Sequence, residues 1–318
     1  MNMTEPILYI VLPCFNEEEI LGYTIQHLTE LYDSLIPQGM ISKKSRLLFI
    51  NDGSRDHTWD ILLEGFEKNP YICCVNLAGN VGHQGAILAG METAKEHADV
   101  IITMDADLQD DIYKIQEMLE NYKGGADIVY GVRNNRKTDS WFKRTTAQLF
   151  YRIMQSLGVK SIYNHADFRL MSKRAVEELF KYRERNLYLR GIIPIIGFNT
   201  AVVYEDRKER VAGETKYTLS KMINLAVDGI TSFSVKPVRL ILGVGLLFLL
   251  LALGILIYVL CTFIAGKTVA GWASLMISMW FIGGSILIAL GIVGEYIARI
   301  YMEVKDRPRY CIESSILK

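Results

Sequence analysis

The sequence predicts an α/β domain with a parallel sheet covered on both faces, followed by an interfacial amphipathic helix and two C-terminal transmembrane helices. Two observations carry this. Short apolar runs alternate with helical patterns along the first part of the 318 residues, and two uncharged apolar runs, 240–266 and 268–294, follow with Lys267 alone between them. Strand, helix, strand repeated in series implies parallel strands joined by crossover helices. Each late apolar run exceeds the roughly 20 residues an α-helix needs to cross a hydrocarbon core of about 30 Å. Buried helices of soluble domains rarely continue that far without a charge.

Strands are expected at 7–12, 47–50, 72–77, 100–104 and 128–132, each a short aliphatic run bounded by polar or turn-forming residues. Helices are expected at 17–31, 58–67, 84–95 and 112–121, where apolar residues recur at three- and four-residue steps. Polar motifs fall after each of the first four strands, at 13–19, 51–58, 80–85 and 105–111. Open α/β sheets bind ligands beyond the carboxyl ends of their strands, so the four motifs share one crevice. A longer helix at 142–157, another near 173–181 and a mixed segment at 187–205 complete the domain. From Thr215 onward Leu219, Met222, Ile223, Ala226, Val227, Ile230 and Phe233 form one apolar face. Directly before a spanning helix, such a face belongs in the bilayer interface or against the soluble domain. A single lysine is too short for a turn, so the turn takes in 265–271 and both spans are shorter than their runs. The resulting division is 1–213 for the soluble domain, 214–235 for the amphipathic helix, 236–300 for the hairpin and 301–318 for a tail.

Charge orients the hairpin. Lys221, Lys236 and Arg239 precede it, Arg299, Lys305, Arg307 and Arg309 follow it, and the turn has only Lys267. Basic flanks stay on the cytoplasmic side, which puts the soluble domain and the tail in the cytoplasm and the hairpin in the inner (plasma) membrane. The stretch at 7–12 is too short for the apolar core of a signal peptide. With 35 basic and 35 acidic side chains, the overall balance offers no case for nucleic-acid binding. The five cysteines form no CxxC pair and read as reduced residues, neither metal ligands nor disulfides.

Asp105-Ala106-Asp107-Leu108-Gln109-Asp110-Asp111 follows the fourth strand directly. Carboxylates clustered at a strand end repel one another, and their simplest use is to share a hard divalent cation, Mg²⁺ or Mn²⁺, with phosphate oxygens. Asp105 and Asp107 take that role here, while Asp110 or Asp111 is expected to cap the helix starting near Ile112. Asn51-Asp52-Gly53-Ser54-Arg55-Asp56-His57-Thr58, standing alone, is a turn leading into an N-capped helix.

Joined with Pro13-Cys14-Phe15-Asn16-Glu17-Glu18 and the acidic cluster, that turn resembles the inverting family 2 glycosyltransferases of the A-type, Rossmann-like fold. The resemblance implies that Pro13, Asn16 and Glu17 with Asp52, Gly53 and Ser54 hold the base and ribose of a nucleotide-sugar donor. It implies equally that Asp105, Asp107 and Gln109 carry the metal and diphosphate. Asn51 departs from the acidic residue common before Asp52. The segments Asn80-Val81-Gly82-His83-Gln84-Gly85-Ala86, Gly131-Val132-Arg133, Phe142-Lys143-Arg144, Asp167-Phe168-Arg169-Leu170-Met171 and Ala212-Gly213-Glu214-Thr215-Lys216-Tyr217 narrow the likeness to the polyprenyl-phosphate glycosyltransferases. That subgroup includes bactoprenol glucosyltransferases and dolichyl-phosphate mannose synthases. The likeness covers nearly the whole chain and is strongest to bacterial members with two C-terminal spans.

The subgroup implies inverting transfer of a hexose to polyprenyl (undecaprenyl) phosphate at the cytoplasmic membrane face, for cell-envelope glycan modification. The bacterial likeness favours UDP-glucose or UDP-N-acetylglucosamine; GDP-mannose is the alternative. The acceptor keeps its tail in the lipid bilayer, so its phosphate site lies at the interface, with Arg133, Arg144 and Lys216 as candidates to pair with it. His83 and Gln84 contact the donor or fix their loop, and Gly82 permits close backbone approach. A phosphate nucleophile arrives ionised, which shifts the burden from a base to positioning and to the leaving diphosphate. Metal held by Asp105 and Asp107 would meet the second need. Asp167 takes the family's catalytic-carboxylate position; an anion repels an anionic nucleophile, so orienting the acceptor or sugar, or pairing with Arg169 or another cation, comes before proton abstraction. Implied partners are further copies of the chain, as a tetramer, and a separate downstream flippase. A processive polysaccharide synthase would need more spans and a Gln-x-x-Arg-Trp motif, absent here, and a catalytically silent sugar-nucleotide sensor would not need Asp105, Asp107 and Asp167 together.

Overall fold

Leu8, Ile10 and Leu12 alternate with Tyr9 and Val11 along β1 (Leu8–Cys14), and both sets are buried. A strand apolar on both faces belongs in the middle of a covered sheet. β1 accordingly lies between β2 (Arg46–Asn51) and β4 (Val100–Thr103), parallel to both, and β3 (Ile72–Leu77) extends the parallel set past β2. The structure, a computed structural model, describes residues 5–133, 165–184, 188–205, 236–265 and 271–318.

Beyond β4 the sheet changes direction, which corrects the all-parallel expectation. β6 (His165–Ser172) runs antiparallel to β4, β5 (Ile128–Arg133) antiparallel to β6, and β7 (Thr200–Glu205) parallel to β5. At the opposite edge β8 (Ile312–Ile316) runs antiparallel to β3, giving the order β7-β5-β6-β4-β1-β2-β3-β8. The reversed strands are the ones that no strand-helix repeat delivers. β6 carries the Asp167 motif, and β8 arrives from the far end of the chain.

α1 (Glu18–Leu35), α2 (Thr58–Lys68) and α4 (Lys114–Lys123) cover one face, packing Leu28, Leu62 and Met118 into a cluster with Leu8, Ile10 and Phe49. α3 (His83–Ala94), α5 (Lys173–Leu179) and α6 (Leu189–Ile192) cover the other, where Ile87, Val176 and Leu189 join Tyr9, Val11 and Ile50. Each fully buried Leu or Ile contributes about 1.5–3 kcal/mol relative to exposure, so these two layers hold the strand ends in place. α3 comes closest to the sheet: a Cβ at Gly90 would stand 2.3 Å from Val11 Cγ1. α4 begins later than expected, with Tyr113 at its N-cap, and Asp111 Oδ1 accepts from Tyr113 N (3.4 Å) in the turn that starts at Ile112, ahead of the helix proper. Backbone bonds from Lys114 N to Asp111 O and from Ile115 N to Ile112 O turn the chain first.

α7 (Lys236–Ile264) and α8 (Trp272–Val304) follow. They stop short of the apolar runs at the turn side, as expected, but extend past them at the outer ends, because nothing breaks the helix until the stretch before Pro308. Among the described residues one helical stretch, Phe281–Val304, is long and apolar enough to cross a membrane. Leu250 on α7 and Leu287 on α8 are 60% and 71% exposed. The expected helices at 142–157 and 214–235, with Arg144 and Lys216, lie outside the described residues.

Candidate active site

The carboxyl ends of β1 and β2 are stitched together. Asn16 N donates to Ser54 Oγ (3.0 Å), Arg55 N to Asn16 Oδ1 (2.9 Å), Glu17 N to Thr58 Oγ1 (2.9 Å) and His57 N to Glu18 Oε2 (2.9 Å). These bonds satisfy amides at the starts of α1 and α2 that no helical carbonyl can reach. Asn16 adopts φ 54°, a left-handed conformation that a short polar side chain tolerates. Pro13 lies buried within β1, opposite Ile50. Asn16 and Ser54, expected at the donor, thus shape the loop that would receive it.

Asp52 is 3% exposed, and its two oxygens accept from Val81 N (2.7 Å) and Gly82 N (3.0 Å). Burial pushes its carboxyl up, against the opposing pull of those two amides and of His83. Gly53 leaves no room for a side chain: at φ 65°, a Cβ would meet Asn80 N at 2.7 Å and Gly79 C at 2.8 Å. This contact clamps the third strand's loop against the second and delivers His83 to the first position of α3. Beside the turn, Phe15, Asn51, Trp59, Asn76 and Glu313 line a cavity of about 430 Å³.

His83 joins the two carboxylates singled out in the sequence. Its Nε2 is 3.4 Å from Asp105 Oδ1 and 3.4 Å from Asp167 Oδ2. Burial alone would lower the imidazole pKa, but Asp167 and Asp105 outweigh it and raise it. Asp167 is held by two arginines as well as by His83. Arg169 Nη2 donates to Oδ1 at 2.6 Å, and Arg190 forms a two-point contact through Nε to Oδ1 (3.2 Å) and Nη2 to Oδ2 (2.8 Å). Burial pushes the Asp167 carboxyl up, yet Arg190, His83 and Arg169 together hold it well below the usual carboxylate range. Arg169 is 1% exposed, and its Nη1 finds no hydrogen-bond partner among the described residues. Gln84 Oε1 accepts from Leu189 N (3.0 Å), pinning the start of α6 and so Arg190 to this cluster.

Gln109 is buried and its backbone N–H donates to Asp107 Oδ1 at 3.2 Å, around a turn in which Leu108 takes φ 50°. Asp111 N bonds Glu205 Oε2 (3.0 Å), tying the acidic loop to the end of β7. Among the described residues no three His, Cys, Asp or Glu side chains converge as a metal cage. A cation shared with a diphosphate needs only one or two carboxylates, because phosphate oxygens and water complete its shell, and Asp105 and Asp107 fit that demand. Arg133 ends β5 in register with Glu205. Arg190, Asn76 and Glu313 were not anticipated; only Asn76, a polar break in an otherwise apolar strand, left a signal in the sequence.

The family model for glycosyl transferase family 2 matches residues 9–180. The uncharacterized glycosyltransferase YkoT of Bacillus subtilis (strain 168) is 53% identical, over 98% of this chain and 93% of its own length. The SfII prophage-derived bactoprenol glucosyl transferase of Shigella flexneri is 39% identical, over 96% of this chain and 97% of its own. Among solved structures, the mannosyltransferase PcManGT from Pyrobaculum calidifontis, in complex with GDP-Man and Mn²⁺, is 13% identical with a TM-score of 0.44, covering 96% of this chain and 88% of that one. The chain belongs to glycosyl transferase family 2.

Proposed function

We propose that this protein transfers a hexose from a nucleotide sugar, UDP-glucose or UDP-N-acetylglucosamine, to polyprenyl phosphate at the cytoplasmic face of the membrane. The observation that carries this is the end-to-end match to a bactoprenol glucosyl transferase, which includes the two long helices as well as the family domain. A lipid acceptor makes sense of those helices. From Leu240 to Ile264 and from Trp272 to Gly294 neither carries a charge, and at 1.5 Å per residue each such stretch exceeds about 30 Å. β8 supports a hairpin further: it follows α8 yet pairs with β3, which is in keeping with a chain that enters and leaves the membrane on one side. The 214–235 segment would lie at the interface.

In this reading the base and ribose occupy the cavity beside Asp52, Gly53 and Ser54, and the diphosphate extends toward Asp105. Asp105 and Asp107 would hold Mg²⁺ or Mn²⁺, which when bound neutralises the leaving diphosphate. His83 keeps Asp105 and Asp167 in fixed relation. Asp167 is a poor base, because two guanidinium groups and an imidazole favour its ionised form. Its task is to hold Arg190 and Arg169 in place beside the reacting groups. A lipid phosphate oxygen, already anionic, attacks the anomeric carbon in line, and configuration inverts. Arg133, Arg144 and Lys216 are the proposed cations for that phosphate.

The test is transfer of radiolabelled sugar from a panel of uridine and guanosine diphosphate sugars to undecaprenyl phosphate, with Mg²⁺ or Mn²⁺, for wild type and Asp107→Ala. Label entering the lipid phase with wild type and absent with the variant is expected. A folded protein that binds nucleotide but labels no lipid from any donor would overturn the acceptor assignment.

A further inference from the structure

After α8 the chain returns to the catalytic domain and is fastened along its edge. Arg309 Nη2 donates to the carbonyls of Tyr182 and Glu184, both at 2.8 Å, and Ala78 N donates to Cys311 O at 2.9 Å. β8 then pairs with β3, and Lys318 Nζ donates to the carbonyl of Asn69 at 2.7 Å. The pairing has a fault in it. Asn76 faces Ser314 while the next residue, Leu77, faces Ile312, so Glu313 is an extra residue with no partner of its own. A bulge of this kind re-aims a side chain and recurs beside active sites. Here it accompanies Glu313 lining the cavity beside the Asp52 turn.

Glu313 also heads a directional relay. Its Oε2 accepts from Asn76 Nδ2 (2.7 Å), Asn76 Oδ1 accepts from Asn51 Nδ2 (2.7 Å), and Asn51 Oδ1 accepts from Ser54 N (3.3 Å). An ionised carboxylate only accepts, so Glu313 forces Asn76 to present its NH₂ to it and its carbonyl to Asn51. Asn51 in turn must direct its carbonyl to the Ser54 amide. The Ser54 N–H, a donor only, sets the same order from the other end, so Glu313 and Ser54 together hold both amides in one orientation and give the wall of the cavity a defined pattern of donors and acceptors.

We propose that Glu313 is a positioning and specificity-determining residue for the donor nucleobase, supplied by the C-terminal strand. One of its oxygens is engaged by Asn76, which leaves a single carboxylate oxygen for a base N–H. That matches the one imide N–H of uracil better than the adjacent N1–H and N2–H₂ of guanine. The donor cleft is therefore incomplete until the segment beyond the long helices has docked. This rests on the reading of the cavity as the nucleotide site.

Isothermal titration of the detergent-solubilised full-length protein with UDP and with GDP, in the presence of Mg²⁺, tests it alongside steady-state kinetics. Wild type is expected to prefer UDP. Glu313→Ala should weaken UDP binding about tenfold, as for loss of a hydrogen bond to a charged group, with GDP affected less. The same loss should appear in KM for the sugar nucleotide more than in kcat. Glu313→Gln retains an acceptor for Asn76 and should recover part of the affinity. An unchanged UDP affinity and UDP-to-GDP ratio in a folded Glu313→Ala protein overturns the role of Glu313 alone. Failure of wild type to bind any nucleoside diphosphate overturns the cavity assignment and this inference with it.

Discussion

Replacing Asp167 by Asn removes one negative charge and almost no volume, yet it leaves Arg169 buried without a counter-ion. Arg169 is 1% exposed, Asp167 11% and Arg190 33%. Burial pushes the Arg169 guanidinium down and the Asp167 carboxylate beside it opposes that pull, so the group stays charged at neutral pH and depends on that partner. Removing one member of a buried ion pair costs about 3–5 kcal/mol; Arg190, partly in water, adds little to that. For a domain of this size the loss corresponds to a fall in Tm of about 6–20 °C. The Asp167 carboxyl is held below its unfolded-state value of 3.8, so its contribution is complete above that value and is lost only as pH falls through the folded-state pKa. The gap between wild type and variant should therefore close in strong acid, and it should also narrow as pH rises through the raised pKa of His83, whose protonated ring loses its Asp167 partner in the variant. Thermal unfolding of the solubilised full-length protein measures it directly. Asp167→Asn combined with Arg169→Met should regain much of the stability without regaining activity, because two apolar or neutral groups replace the stranded charge. A single variant within about 1 kcal/mol of wild type, or a double variant no more stable than the single, would refute the clamp.

Gly53→Ala places a methyl group against the backbone of Gly79 and Asn80 and holds a non-glycine residue at positive φ. Beyond about 1–2 kcal/mol of left-handed strain, it should displace the Asp52 loop and abolish UDP binding by titration calorimetry, while secondary structure by circular dichroism survives. Arg190→Lys loses the two-point contact with Asp167 that only a guanidinium can make; turnover should drop at least about tenfold with Tm little changed, and a rate equal to wild type would remove Arg190 from the active cluster. Asp127 accepts from Ser172 Oγ at 2.9 Å and pairs with Arg174, whose side chain is 63% exposed. Arg174 chiefly holds the Asp127 carboxyl below its ordinary value, against burial. Asp127→Asn should lower stability by about 1 kcal/mol at pH 7, a difference that fades as pH falls below the folded-state pKa and is read by urea unfolding.

The first four strands and their helices were legible because each buries a full face or stripe and leaves a period in the sequence. β6 and β8 were not legible in the same way. β6 includes the ionised pair Asp167 and Arg169, against the rule that buried strands are apolar, and β8 is a half-exposed edge strand, Ile312-Glu313-Ser314-Ser315-Ile316, with no apolar run to announce it. Motif reading brought Asp52, His83, Asp105 and Asp167 toward one crevice, but it did not reveal that Asp52, Asn16 and Ser54 also bind backbone groups of neighbouring loops and so shape that crevice. Side-chain direction depends on loops meeting across tens of residues, and spacing carries no record of it. Arg190 and Glu313 enter the site only through tertiary pairing.

The most direct measurement is the structure of the product. Purified protein incubated with an α-linked UDP-hexose and undecaprenyl phosphate should yield a monophosphate-linked lipid sugar whose anomeric proton coupling in NMR shows the β configuration, as in-line displacement by the lipid phosphate requires. An α-linked product would contradict single inverting attack. Sugar released to water, or passed to an acceptor other than lipid phosphate, would contradict the function itself.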